Sequence, residues 1–474
     1  MKNIKFRLFG FILLVISYSC NDATDILPQN TIPEETAFET VEDLVLGMNA
    51  VFSNYAPEQN FDFGSIVSDD TKVGEDNGGQ RINEHNWVIT ANTFRANQVW
   101  LGNYALINSI NRVLAAAEGI TPQNADEQAT YNSILGECYA LRAIAHLDLM
   151  AHYSTDYSAG TASVPYVDFV VVLEQLPRNT VGEVVTGIKA DLTTAEGFID
   201  PAQSDVTRIT RDFITAVRAR LALYEGDNST AMTLSSQLMA NYPLANQAQY
   251  VAMFDDTDNT EVIFKADRVQ GDPLAGGSWM FTNSGGSFIE VSNELVSIIP
   301  AGDIRTVTIW TNLDANFVAD TQERVNKYPG SGGNRYLNDI KVFRSSEMVL
   351  INAEARARTG DLGGAANMVQ SIRDARTGTT GTAPVYNSLA DAITDILFER
   401  RLELAFEGHR FIDVKRTRDI TGLGFVRSEA LLDCGGTSGT SNCVLPANDH
   451  RFTLPIPAAE LDGNANIEQT PGYN

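Results

Sequence analysis

The stretch Glu399-Arg400-Arg401-Leu402-Glu403-Leu404-Ala405-Phe406-Glu407-Gly408-His409-Arg410 constrains this chain most, because its charges cannot all face water. Wound as a helix at about 100° per residue, it puts Glu399, Glu403, Glu407 and Arg410 on one side with Arg400, where i,i+3 and i,i+4 pairs can form. Phe398, Leu402, Ala405 and Phe406 fall on the opposite arc, and Arg401 projects into it. A buried guanidinium requires a carboxylate, so Arg401 is expected to pair with an acid from elsewhere in the fold. The charged set Glu399, Arg400, Arg401, Glu403, Glu407 and Arg410 thus reads as a structural ion-pair network.

Helical periodicity dominates the rest of the chain. It predicts helices over 36–55, 97–117, 127–152, 182–198, 210–225, 228–241, 346–359, 362–376 and 389–408. A discontinuous repeat is visible within them. Ala219-Arg220-Leu221-Ala222-Leu223-Tyr224-Glu225-Gly226-Asp227 aligns with Ala353-Glu354-Ala355-Arg356-Ala357-Arg358-Thr359-Gly360-Asp361. In each copy a small-residue helix ends at a glycine suited to a left-handed cap, and an aspartate restarts the next helix. Such helix–turn–helix units are TPR-like. Residues 255–340 differ in texture: Glu261–Phe264 and Thr306–Trp310 read as short strands, and Gly271–Ser287 and Lys327–Tyr336 as Gly-rich loops. Long loops on a rigid scaffold are where binding tends to reside.

The N-terminus reads as a targeting segment. Lys2, Lys5 and Arg7 precede the short apolar run Phe9–Ile16, and Ser17, Ser19 and Cys20 follow. The run falls short of the roughly 20 apolar residues that a spanning helix needs. Removing residues 1–19, which carry those three cations and no acid, takes the formal charge from −26 to −29. So acidic a chain is a poor partner for nucleic acid or anionic lipid, whose phosphates call for basic patches. Cys434 and Cys443 bracket a Gly/Ser/Thr-rich loop and are placed to close a small disulfide in an oxidising compartment, while Cys138 reads as an inert buried thiol.

Three separated motifs resemble those of one family. The charged stretch, continued through Phe411, Ile412, Asp413 and Arg416, is similar to the ERR-x-EL-x-FEG-x-R-x-x-D signature of the SusD/RagB family, with Thr417 where an aromatic is common. Leu454-Pro455-Ile456-Pro457, Glu460-Leu461 and Glu468-Gln469-Thr470-Pro471-Gly472-Tyr473 resemble its LPIP…EL…QNPGY terminus, with Thr470 in place of Asn. Leu141-Arg142-Ala143-Ile144-Ala145-His146-Leu147-Asp148-Leu149, followed by Val164-Pro165, is the third match. The resemblance implies a mainly α, SusD-like fold: about four TPR-like hairpins plus a loop-rich insertion with short β-strands. It also implies lipidation at Cys20, although Ser17 stands where a lipobox usually has leucine. The chain accordingly divides into a signal peptide (1–19), a lipidated tether (20–35) and a single SusD-like unit (36–474).

Catalytic signatures are sparse. A GxSxG elbow, a phosphate-binding GxxxxGK and a zinc-binding HExxH are missing from the sequence. Asp255-Asp256-Thr257-Asp258-Asn259 lacks the glycine and closing glutamate of an EF-hand loop and reads as a solvated turn. His146 and His152 lie six apart on one predicted helix, on different faces, and read as satisfied histidines. No metal or cofactor is expected. Glu403 and Glu407 sit one turn apart, near the separation that retaining glycosidases use, but neighbouring arginines lower carboxylate pKa, the reverse of what a general acid needs. We therefore expect a non-enzyme.

Binding chemistry fits better. Sugar rings pack their C–H faces against aromatic side chains, while Asn, Asp and Arg satisfy hydroxyls. Trp279 among glycines, Trp87 after the loop 72–80, Trp310 at a strand end and Tyr328 before Pro329-Gly330 are the candidate aromatics; Trp100 reads as core. Asn77, Arg81 and Asn283 are candidate hydrogen-bonding partners. The resemblance implies a cell-surface lipoprotein of a Gram-negative outer membrane that captures oligosaccharide for a SusC-like TonB-dependent transporter and acts as its lid. Two alternatives stay open: a peptide-binding member of the family, or a TPR-like scaffold for protein partners.

Overall fold

The computed structural model describes residues 37–314, 318–434 and 443–473. The signal segment, Cys20 and the tether lie outside them.

Helix α1 (Val41–Asn54) starts later than its periodicity predicts because Thr40 caps it: its hydroxyl accepts from Asp43 N–H, and the Asp43 carboxylate accepts from Thr40 N–H. After α2 (Glu58–Val67) come α3 (Phe94–Ala117), α4 (Ala125–Tyr153), α5 (Val181–Phe198), α6 (Arg211–Glu225), α7 (Asn228–Asn241) and α8 (Gln247–Phe254). Beyond the insertion lie α9 (Ser345–Arg358), α10 (Leu362–Thr377), α11 (Leu389–Glu403) and α12 (His409–Thr421). Helix α4 packs on α3 and α5, α6 on α7, α9 on α10, and α11 on α12, so the architecture is mainly α and built from helical hairpins. The two repeat copies use the device expected of them. Gly226 and Gly360 adopt φ of 76° and 89°, Asp227 accepts from Thr230 N–H at 3.1 Å, and Asp361 from Gly364 N–H at 2.9 Å. Helix α7 packs directly on α9, joining in space hairpins that are separated in sequence. There the Asn352 amide donates to Met232 O, Ser235 Oγ and Ser236 Oγ at 2.9–3.1 Å.

Two helices escaped the periodicity for one reason: their polar residues face inward. In α2 every residue from Phe61 to Val67 is buried, Asp62 and Ser65 included. Helix α12 buries Asp413 and Lys415 alongside Phe411 and Val414. Helix α8, also unexpected, is only two turns long, ends just before the insertion and buries Tyr250, Met253 and Phe254. The predicted helix 389–408 instead stops at Glu403, and Phe406 (φ 62°) and Gly408 (φ 89°) turn the chain back. A Cβ at position 408 would also stand 3.3 Å from Phe61 N, so this turn lies directly on the backbone of α2.

The described residues of the insertion enter small antiparallel pairs. They include β3 (Ile289–Val291) with β1 (Thr71–Val73) from outside the insertion, β2 (Val262–Ala266) with β6 (Ile340–Arg344), β4 (Trp310–Leu313) with β5 (Ala319–Val325), and Gly330–Ser331 with Asn334–Arg335. The strand expected at Thr306–Trp310 is a helical turn, Arg305–Ile309, that leads into β4. Asp303 accepts from Arg305 N–H at 2.9 Å, nucleating that turn. Nor is the 255–259 segment merely solvated. Asp256, at φ 60°, turns inward to hold Lys341 and accepts from Asn338 Nδ2 at 2.8 Å.

Candidate functional site

The charged stretch forms an enclosed hub, but not by the local i,i+4 pairing that helical geometry suggested. Arg401 Nε donates to Asp70 Oδ1 at 2.6 Å and Nη2 to Asp69 O at 2.8 Å. Arg410 grips the Asp69 carboxylate with both arms of its guanidinium at 2.7–2.8 Å. Arg400 meets Asp413 at 2.6 Å, and Glu399 receives Arg305 and Arg373 at 2.6 and 2.8 Å. Glu403 accepts from Arg344 at 2.5 Å and from Arg376 at 2.9 and 3.0 Å, with Arg305 at 3.4 Å; Glu407 accepts from Arg344 at 2.8 Å and lies 2.9 Å from Lys327. The partners are remote because a helix surface offers too few donors for carboxylates that no water reaches.

Burial pushes Glu403 and Glu407 up, yet Arg376, Arg344 and Lys327 outweigh it and hold both below the usual carboxylate range. Neither carboxylate keeps a proton to give a leaving group, so the pair does not suit acid catalysis of glycoside cleavage. The hub ties together segments remote in the sequence. Lys327, buried against it, is lowered to about 8 by its desolvation.

The other two motifs are also internal. Arg142 forks onto Asp191 at 2.9 and 2.5 Å and donates to Asn111 Oδ1 at 2.8 Å, while His146 bridges Arg142 O and Val167 N–H. Burial drives His146 down to about 3, so it stays neutral. At the C-terminus, Gln469 brackets both backbone groups of Ile456 at 2.7 and 3.0 Å, and Thr470 donates to Leu454 O at 2.9 Å. Cys138 is buried against Met48, and Cys434 is joined to Cys443.

The expected aromatic platform is corrected by the structure. Trp279 is fully buried, 5.4 Å from the Phe61 ring and 6.0 Å from Tyr328, with Phe406 edge-on at 5.6 Å. Its Nε1 donates to Ser65 Oγ at 2.9 Å, and Tyr328 is buried in the same stack. The glycines around Trp279 serve close approach, not exposure: a Cβ on Gly276 would sit 2.7 Å from the Tyr336 ring. Trp87 is buried too, donating to Val67 O at 2.6 Å beneath the Arg427 guanidinium. These three aromatics are packing residues, since a face already covered by protein cannot stack on a ligand. Trp100 is buried as expected.

Trp310 differs. It is the one tryptophan left half-buried, at the start of β4 opposite Val325. Two loops meet the β4–β5 hairpin and are tied to it by side chains. Gln322 donates to Asp76 Oδ2 at 2.7 Å and accepts from Ser287 N–H at 2.9 Å; Thr321 donates to Glu75 at 2.8 Å; Arg324 reaches Gly285 O at 2.8 Å. Asn77 belongs here, its amide donating to Gln80 O and Phe288 O at 2.8 and 2.6 Å. Asn283 is exposed on the neighbouring turn. Arg81 is committed to Asp62 at 3.3 Å, which Arg95 also holds at 2.8 Å. Asn77 thus joins the polar cluster on this hairpin, with Asn283 on the adjoining turn; Trp310 lies at the base of the hairpin, opposite Val325 and packed partly on the core, and Trp87, Trp279 and Tyr328 are buried. Sequence reasoning missed Asp76, Asp320 and Gln322; the alternating Asp320-Thr321-Gln322-Glu323-Arg324 was the available signal.

Comparison with known proteins places this architecture. Residues 316–473 match the model of the SusD family, and residues 24–223 match a family described as starch-binding, associating with the outer membrane. The chain belongs to the SusD/RagB family. Among its relatives are SusD-like proteins P38 and P2 of Formosa agariphila, 24% and 21% identical, covering 88% and 99% of this chain and 92% and 100% of their own. Its fold is that of a putative sugar binding protein from Bacteroides vulgatus (TM-score 0.77, 23% identity, covering 93% of this chain and all of that one). Surface glycan-binding protein A from Bacteroides fluxus superimposes with a TM-score of 0.71 at 18% identity over 92% of this chain and all of its own. The hub and the two internal motifs are therefore this chain's versions of the SusD/RagB signature. No helix among the described residues is long and apolar enough to cross a membrane.

Proposed function

We propose that this SusD/RagB protein is a glycan-binding lipoprotein of the outer-membrane surface, captures oligosaccharide on the loop cluster around Trp310, and passes it to a partner TonB-dependent transporter that it covers as a lid. The observation that carries the reading is the match of residues 24–223 to the starch-binding, outer-membrane-associating family. The hairpin region supports it: Trp310 is half-buried at the start of β4, and Asp76, Asn77, Asn283 and Asp320 lie on β5 or on the turns tied to it, residue types that suit sugar hydroxyls. Lipid on Cys20 would hold the mature chain at the membrane, with the segment to residue 35 as tether. No covalent chemistry belongs to this role, and the enclosed hub supplies none.

The test is a binding screen of the soluble chain from residue 21 against neutral glycans, acidic glycans and peptide mixtures, with Trp310→Ala in parallel. A glycan hit that the substitution weakens supports the reading. Binding of peptides alone moves the function to peptide uptake. Binding of neither class would leave the transporter-lid and scaffold roles and remove glycan capture.

A further inference from the structure

A cleft of about 350 Å³ opens beside α3, away from the residues of the loop cluster. Trp100 and Tyr104, their rings 4.8 Å apart and tilted by 55°, form its aromatic wall, and Val171 and Leu176 close the other side. Its polar lining is dominated by acceptors, the Asn464 amide being turned to Leu176 O and Glu460 Oε1 at 2.8 and 3.1 Å. Glu174 and Glu460 contribute carboxylates, and Asn108 Oδ1 is enclosed without a hydrogen-bond partner. No lysine, arginine or histidine lines the cleft among the described residues. Arg178, close by in sequence, turns its guanidinium to the carbonyls of Tyr153, Ala162 and Ser163 instead.

The mouth of the cleft is apolar. Leu101, Phe169, Val172 and Leu173 stand 48%, 42%, 69% and 88% exposed. Glu174 fixes the tip of this loop by accepting from the backbone N–H groups of Val172 and Leu173 at 2.8 and 3.0 Å, which presents both side chains outward. Asn111 anchors its base, donating to Val167 O and Phe169 O at 3.3 and 2.8 Å. A collar of ordered apolar side chains around an aromatic-walled pocket is the anatomy of a protein-docking surface, where one anchor fills the pocket and the rim excludes water. A free small ligand would leave the collar in water.

We propose that this cleft docks a protein partner through a loop that bears a lysine or arginine flanked by apolar residues. The aliphatic stem lies against the half-buried Tyr104, whose ring face also attracts a cation. The charged head meets Glu174, Glu460 and Asn108: the two carboxylates keep acceptor capacity beyond the donors they already hold, and Asn108 Oδ1 has no partner. The flanking apolar residues cover Leu101, Val172 and Leu173. Charge complementarity selects this occupant, since two carboxylates on a chain of net charge −26 disfavour an acidic segment or an anionic lipid surface. The proposal is independent of the glycan reading, because no residue of the Trp310 cluster takes part.

The experiment places the photo-crosslinking residue p-benzoylphenylalanine at Leu173 in the full-length protein in its native membrane, and maps the cross-linked peptide by mass spectrometry. The expected product is a segment of a second protein carrying Lys or Arg between apolar residues. Leu101→Asp and Glu460→Lys should each lower its yield about tenfold, as loss of a hot-spot contact does, while glycan affinity of the purified variants stays unchanged as a check on folding. Cross-links only to lipid, to residues 21–36 of the same chain or to an acidic segment would overturn the proposal. So would the absence of a protein cross-link, or a yield indifferent to both substitutions.

Discussion

Arg401 and Asp70, 331 residues apart in sequence, meet at 2.6 Å in the interior. The contact ties the end of α11 to the segment after α2, and Asp69 beside it ties in Arg410.

Both members of that pair are nearly inaccessible, so removing either strands a buried charge. Asp70→Ala and Arg401→Leu should each destabilise the protein by about 3–5 kcal/mol in denaturant unfolding. A double-mutant cycle between them should show a coupling of about 0.5–3 kcal/mol. Independent, additive losses would mean that the pair is not a unit.

Acid stability should reflect carboxylates of two opposite kinds. Burial raises Glu347, Glu403, Glu407 and Asp413, but Arg220, Arg376, Arg344 and Arg400 outweigh it and leave each folded pKa depressed. Such groups contribute stability that is present above their unfolded pKa of about 4 and is lost as pH falls through the folded values. Asp148 is pushed the other way, to about 6, by burial, with Arg220 and Asn60 opposing. Between about pH 4 and 6 the folded state holds its extra proton, so this group makes the protein more stable as pH falls from 7 toward 4. Asp148→Asn should flatten that arm by at most about 3 kcal/mol and leave the collapse below pH ~4 intact in pH-dependent unfolding curves. An unchanged profile between pH 4 and 7 would refute the assignment.

Trp279 and Trp310 should separate stability from binding. Trp279→Ala removes a stacked core side chain and should cost about 3–5 kcal/mol, with glycan affinity of the folded fraction preserved. Trp310→Ala should lower melting temperature less and weaken any glycan bound by the screen. The reverse pattern in thermal unfolding and calorimetric titration would return Trp279 to the binding face.

Gly408→Ala asks an L-residue to adopt φ 89° and places its Cβ 3.3 Å from Phe61 N. A loss of about 1–3 kcal/mol is expected, read from the denaturation midpoint. Gly226→Ala, where nothing lies within 4 Å of the added carbon, should cost less.

The hairpin helices were legible because an exposed face and a buried face alternate with the helical period. Gly226-Asp227 and Gly360-Asp361 could even be read as caps, since that chemistry is local. Helices α2 and α12 were not legible: Asp62, Ser65, Asp413 and Lys415 are buried, so the polar–apolar contrast that marks a helix is missing. The candidate site was read least well. Glycines beside Trp279 look alike in sequence whether they free an aromatic for solvent or let Tyr336 pack onto the backbone.

What this sequence determined by itself was the set of local preferences and the need for compensation: which amphipathic segments wind into helices, that Gly226 and Gly360 end two of them, and that Arg401 requires an acid. Which acid answers it, and which tryptophan stays partly exposed, only the tertiary structure decided. Ion pairing and burial depend on distances between residues remote in the chain, here Asp70 with Arg401 and Phe61 with Trp279, and local periodicity carries no information about such distances.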